Sequence, residues 1–161
     1  MLYTTSMAHT TYFLLKTEPS AYSIDDLERD KVTSWGGVRN YQARNVLRSM
    51  KKGDMCFIYH SSCAVPAIVG EAVVAKEAYA DPLQFDKKSE YYDAGSPLAT
   101  PRWSAVEIRF VKKYAQPFPL EALKQMSALQ DMRLLARGNR LSVFPVEKQH
   151  AAFLIKRGTH T

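Results

Sequence analysis

The stretch with the densest chemistry is Ser34-Trp35-Gly36-Gly37-Val38-Arg39-Asn40-Tyr41-Gln42-Ala43-Arg44-Asn45. An indole gives a nucleobase a flat face to stack on, and guanidinium groups pair with phosphate oxygens. Gly36 and Gly37 let the backbone take positive φ or approach a ligand closely. Together these are parts for gripping a base and its phosphates, with Trp35 expected on an accessible loop. A second run, His60-Ser61-Ser62-Cys63, sets a base beside hydroxyls and a thiol. Neighbours at a strand end point in different directions, and nucleophile–base pairs are assembled from distant positions. The run therefore reads as turn-forming or pocket-lining groups. Nothing beside Cys63 argues for a reactive thiol.

Periodicity shows what must position these groups. Asn40 offers its side-chain oxygen to the free N–H groups of a new helix. Ala43, Val46, Leu47 and Met50 recur as one buried stripe, and Tyr41, Arg44, Asn45 and Arg48 recur on the opposite face. Lys51 and Lys52 bring positive charge to the C-terminal end, and Gly53 is expected to stop the helix. Ser23 opens a shorter helix, in which Asp25 and Asp26 suit the first turn better than they suit acid–base catalysis.

Strands are expected at residues 12–15, 55–60, 65–74, 103–111 and 141–145. The second is apolar on both faces, as in a central strand, and Gly70 marks a bulge in the third. In the fourth, Val106, Ile108 and Phe110 alternate with Glu107 and Arg109. Residues 81–101 form a long ordered loop, a common place for function. Short helices are expected at 119–126, 129–136 and 146–156, the last stopped by Gly158. Short strands interrupted by helices, without strict βαβ alternation, give an α+β fold: a small mixed β-barrel with peripheral helices.

The chain has 161 residues, a formal net charge of +6 and a pI near 9.3. That size suits one domain, and the charge favours an anionic partner, with nucleic acid the leading class. Residues 1–10 and 158–161 are expected to be tails. Cys56 and Cys63 read as reduced thiols, and neither a signal peptide nor a bilayer-length apolar run is visible. His9, His60, His150 and His160 are scattered, so no metal site is expected. No phosphate-cradling glycine loop and no nucleophile elbow occurs, so no cofactor is expected either.

Several blocks resemble one family. They are residues 12–19, Tyr-Phe-Leu-Leu-Lys-Thr-Glu-Pro; 35–45, from Trp-Gly-Gly to Ala-Arg-Asn; and 53–61, Gly-Asp-Met-Cys-Phe-Ile-Tyr-His-Ser. Residues 68–72, 79–86, 101–103 and 140–143 add Ile-Val-Gly-Glu-Ala, Tyr-Ala-Asp-Pro-Leu-Gln-Phe-Asp, Pro-Arg-Trp and Arg-Leu-Ser-Val. The chain resembles the EVE domain in these blocks from about residue 12 to residue 154. The resemblance implies a PUA-like pseudo-barrel over residues 11–157 that binds a modified base, chiefly modified cytosine in DNA or a modified RNA base, without catalysis. It places Trp35, Arg39, Asn40, Tyr59, His60, Ser61, Arg102, Trp103 and Ser142 around the base. It places Arg44, Arg48, Lys51 and Lys52 on phosphates. A monomer is the default, cytoplasmic if bacterial and nuclear if eukaryotic. Two other readings stand beside it: a small enzyme acting on a modified nucleotide, and a module whose aromatic pocket holds a peptide.

Overall fold

The protein is described here from a computed structural model covering residues 10–158. Of the two expected tails, residues 1–9 and 159–161 lie outside the described residues. In order the chain forms β1 (Tyr12–Thr17), α1 (Ile24–Asp30), β2 (Val32–Trp35), α2 (Tyr41–Ser49), β3 (Met55–His60) and β4 (Ala67–Ala80). There follow β5 (Ser104–Pro119), the single turn α3 (Leu120–Leu123), β6 (Val143–Val146) and α4 (Lys148–Gly158). Short 3-10 turns at Pro82–Phe85, Ser127–Leu129 and Arg133–Leu135 shape the loops.

The strands form one six-stranded sheet in the order β2-β5-β4-β3-β1-β6. Only β1 and β3 run parallel, and the other neighbouring pairs are antiparallel. Period-two alternation loads both faces. In β1, Phe13 and Leu15 join a core with α1 and α2, built on Ile24, Leu27, Ala43 and Leu47. Leu14 points the other way, with Phe57 and Tyr59, onto Leu123, Leu134, Ala151 and Leu154. β3 sits between β1 and β4 and is buried on both sides, as its sequence predicts.

The outer strands β2 and β6 do not pair with each other. Helix α2 touches β4, β5 and β6, which are spread across the sheet order. The sheet must therefore curve around this helix. The mixed β-barrel expected from the strand pattern is an open pseudo-barrel, with α2 packed within its curve and no pairing between its outer strands.

Gly70 is the predicted irregularity. Both of its pairings shift register nearby, and a Cβ there would lie 2.3 Å from the Lys112 carbonyl oxygen. Other boundaries move. Strand β2, within the stretch expected as a loop, pairs Trp35 with Val106. Helix α2 ends at Ser49 with Met50 already extended, so Gly53, at φ +93°, shapes the turn into β3 instead of stopping the helix. Gly158 belongs to α4 and not to a tail, and glycine suits the position because a Cβ there would lie 2.7 Å from the Tyr114 ring.

Candidate nucleic-acid interface

Helix α2 begins as predicted. The Asn40 side-chain oxygen accepts from the Ala43 N–H at 2.9 Å, which commits that oxygen to the cap. The basic face that follows is bonded within the protein, although Tyr41, Asn45 and Arg48 remain exposed. Arg44 donates to the Arg102 carbonyl at 3.1 Å and to the Asn45 side-chain oxygen. Arg48 donates to the Ser104 hydroxyl at 2.9 Å and to the carbonyls of Pro101 and Arg102. Tyr41 stacks on Trp103 with ring centroids 4.9 Å apart, and the Arg44 guanidinium lies over Tyr41. The predicted phosphate grippers thus clamp the start of β5. Lys51 and Lys52, beyond the helix end, are exposed.

Beside this clamp, residues 36–39 meet the long loop in a tight seam. Asp81 is 1% exposed, and its Oδ2 accepts from the Gly37 N–H at 2.8 Å and from Arg39 at 2.9 Å. Its Oδ1 accepts from the Leu83 N–H. Arg39 also donates to the Tyr91 carbonyl through two nitrogens and lies over the Tyr91 and Trp103 rings. The two glycines are required by closeness. A Cβ on Gly36 would sit 2.8 Å from Asp81, and one on Gly37, at φ +75°, would sit 2.9 Å from the Tyr91 ring. They form a packed junction, and the close approach they allow is to Asp81 and Tyr91.

The long loop is ordered from within by polar groups. Gln84, fully buried, donates to the carbonyls of Asp81 and Trp103, and its oxygen accepts from Ser96 and from the Trp103 N–H. Asp93 accepts the Trp103 indole N–H at 2.8 Å and pairs with Arg102 at 3.3 Å. Those bonds, led by the indole donor, hold the Asp93 carboxyl below the usual carboxylate range.

Trp35 is 8% exposed, with Tyr22 edge-on to it at 6.2 Å. This corrects the expectation of an accessible ring: a strand end inside the apolar layer leaves the indole little open face. Tyr59 and His60 point to opposite faces of β3, Tyr59 into the α4 side of the core. His60 takes the α1 N-terminus, where its Nε2 accepts from the Ile24 N–H at 3.0 Å. Burial pushes its pKa down, which keeps the accepting neutral ring. Ser61 and Ser142 are half-buried, and their backbones bond to Thr17 and Lys16 at the end of β1.

A cavity of about 370 Å³ brings Arg48 and Trp103 together with Tyr79, Pro101 and Ser104. A larger one of about 570 Å³ lies elsewhere, between β6, α4 and the loop before β6, lined by Arg133, Arg137, Asn139, Glu147 and His150 among others.

The chain matches the EVE domain over residues 11–157. It belongs to the EVE family. Thymocyte nuclear protein 1 of Gallus gallus is 39% identical over 163 residues, covering 89% of this chain and 67% of that protein. A crystal structure of a Pseudomonas syringae protein superimposes with a TM-score of 0.88 at 44% identity, covering 91% of this chain and 99% of that one. The human THYN1 protein, solved in complex with DNA containing 5-methylcytosine, superimposes with a TM-score of 0.87 at 37% identity, covering 92% and 98%. No helix among the described residues is long and apolar enough to cross a membrane.

Within this EVE domain, the nominated residues separate into groups. Arg39, Arg44, Arg48, Arg102 and Trp103 come together in the seam, held by carboxylates, carbonyls and rings. Trp35 and His60 serve the layer under α1. Asp81, Gln84, Asp93 and Tyr91 were not singled out from sequence, although Asp81-Pro82 opens the loop and Asp81 also caps its first turn. Near the larger cavity, Asp131, Glu147 and His150 place donor atoms within 4.8 Å of one another, and His150 Nε2 lies 2.8 Å from Asp131. Scattered histidines in the sequence gave no sign of this cluster, because Asp131 arrives from a separate loop.

Proposed function

We propose that this EVE domain is a non-catalytic reader of modified bases in nucleic acid, with modified cytosine in DNA as the preferred target. The observation that carries the reading is the complex of human THYN1 with 5-methylcytosine DNA, a protein 37% identical over nearly the same fold. The net charge of +6 suits the partner. The base site is assigned to the surface around Trp35, Arg39, Asn40, Tyr59, His60, Ser61 and Ser142, with Arg102 and Trp103 behind Arg39. Buried members of this set act as walls, while Asn40, Ser61 and Ser142 keep some exposure for the base edge. Lys51 and Lys52 are the available phosphate contacts. Arg44 and Arg48 contribute mainly by fixing the 101–104 segment.

A base inside a duplex costs a few kcal/mol to extrude, and aromatic contact returns roughly 1–3 kcal/mol, so phosphate contacts supply much of the remainder. Binding is therefore expected to be moderate and salt-sensitive. The test is a titration of oligonucleotides that each carry one modified base, at two salt concentrations. A preference for one modification that persists at both salts supports the reading. Equal affinity for modified and plain oligonucleotides at both salts ends it.

A further inference from the structure

The cavity of about 570 Å³ between the 131–139 loop, β6 and α4 lies within the usual size range of small-ligand sites. Its lining shares no residue with the base site proposed above. One wall carries donors without partners. The Asn139 Oδ1 accepts from the Leu141 N–H at 3.4 Å, which turns Nδ2 the other way. That Nδ2 is the one buried side-chain nitrogen or oxygen without a hydrogen-bond partner among the described residues. Flipping the amide sets an NH2 against the Leu141 N–H, donor against donor, so rotation does not satisfy it. A buried donor in this state calls for an acceptor from outside.

Arg133 and Arg137 line the same cavity, both exposed. Neither guanidinium has an ion pair or hydrogen bond among the described residues, whereas Arg39, Arg44 and Arg48 are each held by several bonds. The same lining also carries acceptors. Asp131 receives His150 and Glu147 receives Gln149, each through one oxygen, which leaves lone pairs on both carboxylates. A bare anion would meet those two carboxylates. A ligand carrying phosphate, ring acceptors and an amino group meets a complement for each.

We propose that this cavity binds a nucleotide whose base carries an exocyclic amino group. The phosphate lies between Arg133 and Arg137, a ring acceptor or carbonyl takes the Asn139 amide, and the amino group donates to Glu147 or Asp131. Carboxylates accept from the cytosine amino group in this way in base recognition. The nucleotide is either free or an unpaired residue of a bound strand, and in the second case the inference rests on the nucleic-acid reading above.

The test is an amide NMR titration of the full chain with cytidine monophosphate, uridine monophosphate, inorganic phosphate and a short unmodified single strand. Cytidine monophosphate is expected to shift the Asn139 side-chain amide and the backbone amides of residues 131–139 and 147–150. Uridine monophosphate, whose base offers no amino group, binds at least severalfold more weakly. The double variant Arg133→Ala, Arg137→Ala loses about tenfold in affinity, the scale of a lost charge-assisted contact, with the rest of the spectrum unchanged. The single strand moves the same amides if the source is a nucleic acid, and leaves them still if it is a free nucleotide. No shift at residues 131–150 with any nucleotide, or equal binding of the two nucleotides, overturns the proposal. So does phosphate alone reproducing every shift. Shifts confined to residues 35–61 remove this site and leave the reader standing. Shifts at the cavity without any preference for modified oligonucleotides do the reverse.

Discussion

The seam at residues 36–48 and 81–104 and the cavity wall at residues 131–150 are both rich in arginines and carboxylates, yet they use them in opposite ways. In the seam each polar group named above has an internal partner. Asp81 alone gathers Gly37, Arg39 and Leu83. At the cavity, Arg133 and Arg137 project free, and Asn139 keeps a buried donor unpaired. The difference separates scaffolding from readiness. A fully bonded guanidinium must break internal bonds before it can grip a ligand, whereas a free one loses only water and side-chain freedom. A dense motif can therefore be the framework that shapes a site, while the available contacts sit in plainer sequence.

The largest effect should come from the buried indole. Trp35→Ala empties a core position at a strand end and is expected to cost about 3–5 kcal/mol of stability. A urea denaturation midpoint measures it. A variant as stable as the parent would mean that the ring faces solvent, where a base can stack on it.

Asp81→Ala tests the seam itself. It removes the acceptor for two backbone N–H groups and leaves Arg39, 20% exposed, without its carboxylate. The expected loss is about 3 kcal/mol, at the low end for a buried pair because Arg39 keeps some water. Amide exchange across residues 81–103 should accelerate more than exchange in α4. Uniform acceleration would mean that the loop does not depend on this carboxylate.

Much of this fold was legible in the sequence. The two-faced apolar run at β3, the alternation in β5, the Asn40 cap and the bulge at Gly70 are local patterns with local causes, and each appears where the pattern puts it. What was not legible depended on distant partners. Nothing within residues 32–37 says that Trp35 pairs with Val106 and lies buried. Nothing beside Arg44 and Arg48 says that carbonyls 53 to 58 positions later will occupy them. The run at His60 read as turn-forming or pocket-lining groups, and the acceptor role of its ring was not legible there because Ile24, which defines it, lies 36 residues earlier. Asp131, Glu147 and His150 meet only once α4 has packed.

His60 provides a smaller, pH-dependent test. His60→Ala leaves the Ile24 N–H without this acceptor, a loss of about 1 kcal/mol near neutral pH. In the parent, the folded pKa lies below the ordinary 6.5 because burial disfavours the charged ring. Between those two pKa values the unfolded chain binds more protons than the folded one, so stability rises with pH there and levels off above 6.5. Falling pH should therefore remove stability from about 6.5 downward. His60→Gln keeps an acceptor that does not titrate, and should flatten that part of the profile. An unchanged profile in His60→Gln would assign the dependence to another group.

The smallest stability effects belong to the lysines after α2, and they give the sharpest contrast with the seam. Lys51 and Lys52 are exposed, so replacing both with Gln should change stability by less than about 0.5 kcal/mol. If each touches a phosphate of duplex DNA, log K falls with log salt at a slope of about −0.9 per contact, and the double variant should flatten the slope by roughly two contacts. Preference among modified bases should survive, because phosphate contacts set position and not sequence. Arg44→Gln and Arg48→Gln should behave in the opposite manner. Their bonds to Arg102 and Ser104 are internal, so stability should fall while the salt slope stays near that of the parent. Measuring both pairs on one oligonucleotide, across a salt series and beside a denaturation curve, separates the two roles. A flattened slope in the arginine pair with unchanged stability would show that the clamp opens to DNA. The boundary between framework and contact surface would then run through α2 instead of beyond its end.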